Sequence, residues 1–286
     1  MRVSVIMSVY DGVSLTELNE AVYSILSQTL NDFEFLVLKD GVTRPDLLGF
    51  LEAIQRSDPR VRLLSSEHNC GIACSLNQLI VASRGEFIAR MDADDVSLPI
   101  RLESQVNFLE SEPSVDMVGT FAEEVDATGT HVFNKCLPTD SQSIRTFMGK
   151  RDPFIHPTVM FRRRFFDKVG HYNENPDYSY LEDTELWSRA ILGKCELANI
   201  PSFLLKFRVN QSFYTRRRGP RFIWNEFILR AKYIQRAGLP FLYIYAPLGV
   251  MLIRCCPPWM LRWAYMRFRT YTNAGKDPRF QENQAA

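Results

Sequence analysis

Short apolar runs and amphipathic stretches alternate along the first hundred residues. The runs have the length of buried strands, and the amphipathic stretches carry apolar residues at helical spacing, as at Leu18, Val22 and Ile25. Strands separated by helices in this way are typical of a parallel sheet with helices on both faces. The pattern predicts strands at Val3–Val9, Phe33–Leu38, Val61–Leu64 and Phe87–Met91, and helices at Leu15–Gln28, Pro45–Arg56, Gly71–Ala82 and Pro99–Glu110.

After residue 114 the pattern is less regular. It predicts a hairpin of Val115–Val125 and His131–Cys136 around Thr128 and Gly129, a strand at Thr158–Phe161 and a helix at Glu182–Leu192. We therefore predict an α/β fold with a mainly parallel central sheet. Residues 1–215 form one mixed catalytic domain, and residues 216–286 form a separate helical tail.

Composition is that of a globular protein, with 46% hydrophobic and 23% charged residues. The six cysteines form no CxxC pair and the four histidines are scattered, so the sequence signals neither a zinc site nor a disulfide framework. A reduced, cytosolic compartment follows. The charge is uneven: residues 1–215 carry 21 Lys and Arg against 30 Asp and Glu, whereas residues 216–286 carry 13 against 3. A basic tail predicts an anionic partner.

Large apolar residues in the same tail favour a membrane surface over nucleic acid as that partner. The segment Phe241–Ile253 is interrupted by Pro247 and is shorter than the ~20 residues that span a bilayer. Between Trp259 and Arg269, aromatic and arginine residues alternate, which is typical of a helix lying in the membrane interface. The alternative is an apolar helix packed on the catalytic domain.

Three carboxylates follow the predicted strand Phe87–Met91 directly, at Asp92, Asp94 and Asp95. In an open α/β sheet, ligands bind beyond the carboxyl ends of the strands. Acids so close together repel one another unless a cation compensates them, and Mg²⁺ or Mn²⁺ bound also by substrate phosphates is the usual solution. The alternative is a solvated acidic turn that caps the next helix.

Further polar residues stand at the starts of helices and the ends of strands. Glu182 and Asp183 begin a predicted helix, where an ionised carboxylate can act as a general base or merely cap the helix. Asp40 ends the second strand and suits a nucleobase N–H or a ribose hydroxyl, although Asp-Gly is also an ordinary turn. Ser8 and Tyr10 lie at the corresponding end of the first strand.

In their order and spacing these segments resemble the inverting glycosyltransferase family 2, whose catalytic domain has the GT-A fold. The likeness covers about residues 3–210. Within the family, it is greatest to bacterial exopolysaccharide (amylovoran-type) and O-antigen transferases. The matching segments are VSVIMSVYDG at 3–12, SILSQTLNDFEFLVLKDG at 24–41, NCGIACSLNQLI at 69–80, GEFIARMDADDVSLPIRLESQ at 85–105, IHPTVMFRR at 155–163 and LEDTELWSR at 181–189.

The resemblance implies a role for each matching residue. Ser8, Tyr10 and Asp40 would bind the nucleoside, Asp94 with Asp92 would hold the metal, and Asp95 would assist or contact the sugar. Asp183 would be the catalytic base. Lys39 stands where the family often has a second Asp, and the segment after Arg208 reads VNQ, without the histidine of many relatives. On the donor side we add the residues Arg216, Arg217 and Arg218, and on the acceptor side His156 and Glu182.

The predicted reaction transfers a sugar from a nucleotide diphosphate, UDP by family frequency, to a saccharide acceptor on a polyprenyl diphosphate lipid. Its predicted location is the cytoplasmic face of the bacterial inner membrane. The alternatives are a haloacid-dehalogenase-type phosphatase, because Asp92–Val96 satisfies DxDx[TV], and a non-catalytic scaffold of the assembly machinery. A NAD-dependent enzyme is excluded because no GxGxxG follows the first strand.

Overall fold

A computed structural model describes residues 1–209 and 219–254 of the chain. In this part of the chain nine strands form one sheet, in the order β3-β2-β1-β4-β8-β6-β9-β5, with β7 paired to β6. The strands are β1 (Val3–Val9), β2 (Phe33–Asp40), β3 (Val61–Ser66), β4 (Phe87–Met91), β5 (Val96–Ser97), β6 (Met117–Val125), β7 (His131–Lys135), β8 (Met160–Arg162) and β9 (Leu197–Arg208).

The helices that the sequence predicts are present, with ends that shift by up to two residues. Within the described ranges the helices are α1 (Leu15–Leu26), α2 (Pro45–Ser57), α3 (Ile72–Ala82), α4 (Arg101–Ser111), α5 (Ser141–Met148), α6 (Arg163–Val169), α7 (Glu182–Leu192), α8 (Pro220–Arg236) and α9 (Tyr245–Arg254). The sequence pattern did not predict α5, α6 or the long strand β9.

Strand directions differ between the two halves of the sheet. The pairs β1–β2, β1–β4 and β2–β3 are parallel, as predicted. Beyond β4 the sheet is mixed: β8 runs antiparallel to both β4 and β6, β7 is antiparallel to β6, and β9 is parallel to β6. The prediction of a mainly parallel sheet is therefore wrong for the second half. A tight turn joins β6 to β7, and strands joined in this way must be antiparallel.

That turn confirms the predicted hairpin. The Gly129 N–H donates to the Asp126 carbonyl over 3.0 Å, and Gly129 has a φ of +82°, a conformation that glycine adopts without strain. The Asp126 side chain also accepts from the N–H groups of Thr128 and Thr130.

Two apolar layers bury the faces of the sheet. Along β1, Val5 and Met7 face the layer under α1 and α2, and Ile6 faces the layer under α3. This alternation follows from the two-residue period of a strand. The sheet therefore holds its strand ends, and the polar residues after them, on a rigid base.

The first part of the predicted tail packs against the catalytic domain. Tyr233 and Ile234 of α8 are buried in the α3 layer, and Tyr243 and Ile244 lie partly buried against it. Part of residues 220–244 therefore belongs to this core, although the sequence pattern placed these residues in a separate tail. No helix in residues 1–209 and 219–254 has the length and apolarity needed to cross a membrane. The predicted interfacial stretch from Trp259 to Arg269 lies outside the described residues.

Candidate active site

The carboxyl ends of β1, β2 and β4 meet at one edge of the sheet. Because these strands are parallel neighbours, in the order β2-β1-β4, the segments that follow them lie side by side. Ser8 is level with Leu38 in the register, and Met7 is level with Met91. The sheet thus brings the predicted nucleoside residues and the acidic segment to a common edge.

Asp11 ties together the loops that follow β1 and β2. Its carboxylate accepts the N–H groups of Thr43 and Arg44, over 3.0 and 3.1 Å, and the hydroxyl of Thr43 over 2.6 Å. These hydrogen bonds, of which that from the Thr43 hydroxyl has the largest effect, hold the pKa of the partly exposed Asp11 below its usual value. Sequence reasoning missed Asp11, although an acid directly after a strand gave the same signal as Asp40.

Asp40 is buried and organises the turn that leads into α3. Its Oδ1 accepts the Cys70 N–H over 2.8 Å, and its Oδ2 accepts the Gly71 N–H over 3.2 Å. Gly41 lies so close to the backbone of Asn69 that a Cβ would overlap it, and its φ is +65°. Asp40 thus has a structural task besides its predicted contact with the nucleoside, which remains a prediction.

Asp92, Asp94 and Asp95 form a tight acidic cluster. One carboxylate oxygen from each lies within 4.8 Å of the others. Burial, followed by the charges of Asp92 and Glu17, raises the pKa of Asp94 to about 7. Burial, followed by the charges of Asp94 and Asp92, also raises the pKa of Asp95 well above its usual range. The cluster therefore carries negative charge that the protein only partly compensates.

Two buried arginines hold this acidic loop. Arg208, at the end of β9, donates its backbone N–H to Asp95 Oδ1 and its Nε to the carbonyl of Asp94, each over 2.8 Å. Arg90, two residues before Asp92 on β4, donates Nη2 to Asp92 Oδ1 over 2.5 Å. Its Nε and Nη1 make no hydrogen bond within the described part of the chain. The two-residue spacing that puts Arg90 and Asp92 together was visible in the sequence.

The acidic cluster fits a divalent cation. Its donors are carboxylate oxygens, the kind that Mg²⁺ and Mn²⁺ prefer, and they converge. Oδ2 of Asp95 is buried without a hydrogen-bond partner among the described residues. Asp92, Asp94 and Asp95 are therefore the residues that would hold such an ion.

The predicted catalytic base lies at the start of α7 in a ring of polar and aromatic groups. Asp183 Oδ1 accepts the Thr184 N–H over 2.7 Å, and Oδ2 lies 4.0 Å from Nδ1 of His156. His156 Nε2 is 2.8 Å from the hydroxyl of Tyr172, and its ring meets Trp187 edge-on. The structure thus brings the predicted residues His156 and Asp183 together.

Tyr172 connects this region with the acidic cluster. Its hydroxyl is completely enclosed, and burial raises its pKa far above the usual value. Asp183, Glu182 and Asp92 all act on it electrostatically in the same direction. The charges of Asp92 and Asp183 therefore both act on one buried phenol, although 91 positions separate them in the sequence.

Other predicted residues have simpler outcomes. Ser8 and Tyr10 are partly exposed at the end of β1, and Glu182 is buried at the start of α7. Arg216, Arg217 and Arg218 lie outside the described residues. Sequence reasoning also missed Tyr172, which follows no element end or charged motif and therefore gave no signal.

Comparison with known proteins agrees with this geometry. Residues 4–170 match the model of the family "Glycosyl transferase family 2". The amylovoran biosynthesis glycosyltransferase AmsE of Erwinia amylovora is 31% identical over 78% of this chain and 82% of its own. The Escherichia coli UDP-Gal:alpha-D-GlcNAc-diphosphoundecaprenol beta-1,3-galactosyltransferase is 27% identical over 81% of this chain and 82% of its own.

Solved structures show the same fold. S. aureus TarS 1-349 in complex with UDP-GlcNAc has a TM-score of 0.65 at 18% identity, over 99% of this chain and 78% of that chain. The longer TarS structure has a TM-score of 0.65 at 19% identity, and this chain covers 43% of its length. TarS supports the predicted GT-A fold.

The family match also decides between the interpretations of the segment Asp92–Val96. It covers more than half of the chain and includes the first-strand segment, which a phosphatase would not explain. The relatives share the likeness over most of their own length. The phosphatase interpretation is therefore wrong, and so is that of a non-catalytic scaffold. The chain belongs to glycosyltransferase family 2, and the protein is a glycosyltransferase.

Proposed function

We propose that this enzyme transfers a hexosyl group from a UDP-sugar to a saccharide carried on a polyprenyl diphosphate, with inversion at the anomeric carbon, during synthesis of a bacterial surface polysaccharide. Two relatives support the substrates. The name of the E. coli relative states a UDP-galactose donor and a diphosphoundecaprenol acceptor, and TarS was solved with UDP-GlcNAc. The relative from Erwinia amylovora supports polysaccharide synthesis.

The observation that carries the proposal is the pair of acidic sites whose charges both reach the buried hydroxyl of Tyr172. Asp92 belongs to the cluster at the carboxyl end of β4, and Asp183 begins α7. A sugar transfer needs two such sites: one that manages the charge of the departing diphosphate and one that removes a proton from the acceptor. A donor sugar between them would meet both requirements.

The nucleotide would bind along the edge formed by β1 and β2. Ser8 and Tyr10 offer hydroxyl groups there, and Asp11 keeps the two loops together. Asp40 has both oxygens engaged by backbone N–H groups, but each carboxylate oxygen can accept a second hydrogen bond from a nucleobase or ribose. Arg216, Arg217 and Arg218 remain proposed contacts of the diphosphate.

At the other end, Asp183 would act as the base. The acceptor oxygen bonds to the anomeric carbon while the bond from that carbon to the diphosphate oxygen breaks, and the acceptor proton passes to Asp183. Oδ1 accepts the Thr184 N–H, and Oδ2 lies on the His156 side, so we propose Oδ2 as the atom that takes the proton. Mn²⁺ or Mg²⁺ held by Asp94 and Asp92, with Asp95 beside them, would neutralise charge on the leaving diphosphate.

The test is transfer by the purified full chain, with UDP-galactose, UDP-glucose and UDP-N-acetylglucosamine as donors and synthetic diphospholipid saccharides as acceptors. The product from an α-linked donor should be β-linked by NMR. Asp183→Asn should abolish transfer and change the Kd for UDP little, since the base acts on the acceptor. Asp167→Asn, which changes an exposed acid on α6, is the control and should retain activity. An α-linked product, or full activity in Asp183→Asn, would contradict the proposed mechanism.

We also propose that the enzyme binds the cytoplasmic face of the inner membrane peripherally, where a lipid-linked acceptor resides. The exposed side chains of Phe241, Leu242, Tyr245 and Leu252 support this, since soluble surfaces rarely cluster so many large apolar groups. The alternating aromatic and arginine residues from Trp259 to Arg269 support it from the sequence.

A further inference from the structure

Arg230 is a fully enclosed cation on α8, outside the segments that resemble the family. Its side chain is 3% exposed. Nη1 donates to the Met148 carbonyl at the end of α5 over 2.9 Å, and Nη2 donates to Asp152 Oδ1 over 3.0 Å. Burying an arginine is costly unless its charge is compensated, so this position calls for an explanation.

Asp152 connects Arg230 to the catalytic region. The same Oδ1 that accepts Arg230 also accepts the hydroxyl of Thr184, over 2.8 Å. The Thr184 N–H donates to Asp183 Oδ1 over 2.7 Å, and its hydroxyl oxygen lies 3.3 Å from that atom. A continuous path of hydrogen bonds therefore runs from Arg230 through Asp152 and Thr184 to Asp183.

The threonine hydroxyl has one proton and stands between two carboxylates. It lies nearer to Asp152, by 2.8 against 3.3 Å, so Asp152 accepts its hydrogen bond and Asp183 is held by the backbone N–H of Thr184. Two carboxylates on either side of one hydroxyl repel each other. The guanidinium of Arg230 is the positive charge that offsets this repulsion.

The charges around Arg230 agree with this arrangement. Burial alone would lower the pKa of Arg230, but Asp152, Glu226 and Asp183 together raise it above its usual value. The third of these is the proposed base itself. By reciprocity, the positive charge of Arg230 favours the ionised form of Asp183.

We propose that Arg230 is a positioning residue for the transfer reaction: through Asp152 and Thr184 it keeps the Asp183 carboxylate ionised and correctly turned towards the acceptor. This inference rests on the proposed role of Asp183 as the base. It means that α8, which the sequence assigned to the tail, supplies part of the catalytic apparatus.

Other charged and titratable groups face Asp183 and do not replace Arg230. His156 lies 4.0 Å away on the 3-10 turn His156–Thr158, and the Tyr172 hydroxyl contacts the other ring nitrogen of His156. Glu182 precedes Asp183 on α7. Glu226, on α8, pairs with Arg230 over 3.6 Å and with Arg254 over 3.1 Å. Among the described residues, Arg230 is the permanent cation that the hydrogen bonds through Asp152 and Thr184 connect to Asp183.

The experiment compares Arg230→Met and Arg230→Lys with Arg236→Met, which removes an exposed charge from the same helix. The readout is the pH dependence of kcat/KM between pH 5 and 9. Arg230→Met should shift the acid limb upwards by about one pH unit, the effect expected from losing one nearby compensating charge. Arg230→Lys should recover most of the shift, and Arg236→Met should leave the profile unchanged.

A charge-balanced variant separates electrostatics from folding. Asp152→Asn alone should move the acid limb down, and Arg230→Met combined with Asp152→Asn should return it towards the original position. Circular dichroism and Tm establish that each variant is folded. If Arg230→Met does not fold, the double variant and Arg230→Lys still give the pH comparison.

An acid limb that stays in place in Arg230→Met, or that moves equally in Arg230→Lys, would overturn the inference. Its failure is distinguishable from failure of the proposed function. If Asp183→Asn abolishes transfer while Arg230→Met keeps the normal profile, only the role of Arg230 is wrong. If Asp183→Asn remains active, the proposed base is wrong.

Discussion

The backbone N–H of Arg208 donates to Asp95 Oδ1 over 2.8 Å, although 113 positions separate the two residues. This bond fixes Asp95 against the end of β9, while the Arg208 side chain holds the neighbouring loop through the Asp94 carbonyl. The carboxylate of Asp94 takes no part in either contact. The two adjacent acids thus differ in their contacts: Asp95 fixes the loop to β9, whereas the Asp94 carboxylate is proposed to bind the divalent cation.

We therefore expect Asp94→Asn to lower sugar transfer at least about a hundredfold, the scale of losing one strong electrostatic contact in a transition state. The amide has nearly the same shape, so Tm should not fall. Transfer is measured with Mn²⁺, with Mg²⁺ and in EDTA. Glu67→Gln, an exposed acid elsewhere, is the control. Undiminished transfer by the unaltered enzyme in EDTA would refute metal dependence.

The pKa of Asp94 predicts how the metal-free protein responds to pH. The pKa is about 7 in the folded state, whereas an aspartate in the unfolded chain has a pKa near 3.8. The contribution of Asp94 to stability is therefore present below about pH 4 and is lost as pH rises through 7. In EDTA, the Tm difference between Asp94→Asn and the unaltered protein should grow from pH 5 to pH 8.

Added Mn²⁺ should reverse that loss. The rise in Tm of the unaltered protein should be larger at pH 8 than at pH 5, because the cation binds the ionised carboxylates. Asp94→Asn should show little rise at either pH. An equal rise at both values, or one that Asp94→Asn retains, would show that the ion binds elsewhere.

Asp40 should serve stability and nucleotide binding at once. Asp40→Ala removes the acceptor of two N–H groups before α3, which should cost about 1–2 kcal/mol of unfolding free energy in urea. Asp140→Ala is the matched control, because Asp140 caps α5 through the Ser143 N–H. Both variants should lose stability, but only Asp40→Ala should weaken UDP binding in calorimetry. Equal UDP affinity in the two would restrict Asp40 to the turn.

Much of the fold could be predicted because local pattern decides it. The alternation in β1 and the helical spacing in α1 determine which side chains are buried, and the structure agrees with both. β9 was missed because Pro201 and polar residues interrupt its apolar pattern, and its ladder with β6 is itself irregular near Phe121. Such a strand is stabilised by its partner more than by its own sequence.

The residues of the candidate site also fall into two groups, those that local sequence position predicts and those that it does not. Acids at strand ends and helix starts can be found from position alone, which is why Asp40, Asp94 and Asp183 were identified. Arg230 acts through Asp152, and no sequence period links the two positions. Contacts that depend on how distant elements pack leave no local signal, so the contacts of Arg208 and Arg230 could be found only in the structure.

Membrane binding can be tested by truncation after α9. Removing residues 255–286 keeps all of α8 and the packed residues Tyr243 and Ile244. The full chain should float with anionic liposomes, less so as salt rises, and the truncated protein should float less while its Kd for UDP is unchanged. A truncated protein that binds vesicles as well as the full chain would assign the interaction to residues before 255.

The packing of α8 also limits how enzymes of this kind can exchange parts. A chimera joined at residue 215 would replace a surface segment and, with it, Arg230 and the aromatic side chain of Tyr233 that fills the core. The chimera would keep the carboxylates of Asp152 and Asp183 but lose the helix whose Arg230 compensates their charge. A crossover near residue 254 would keep both, so acceptor preference and membrane attachment could vary there without a change in the charge around Asp183.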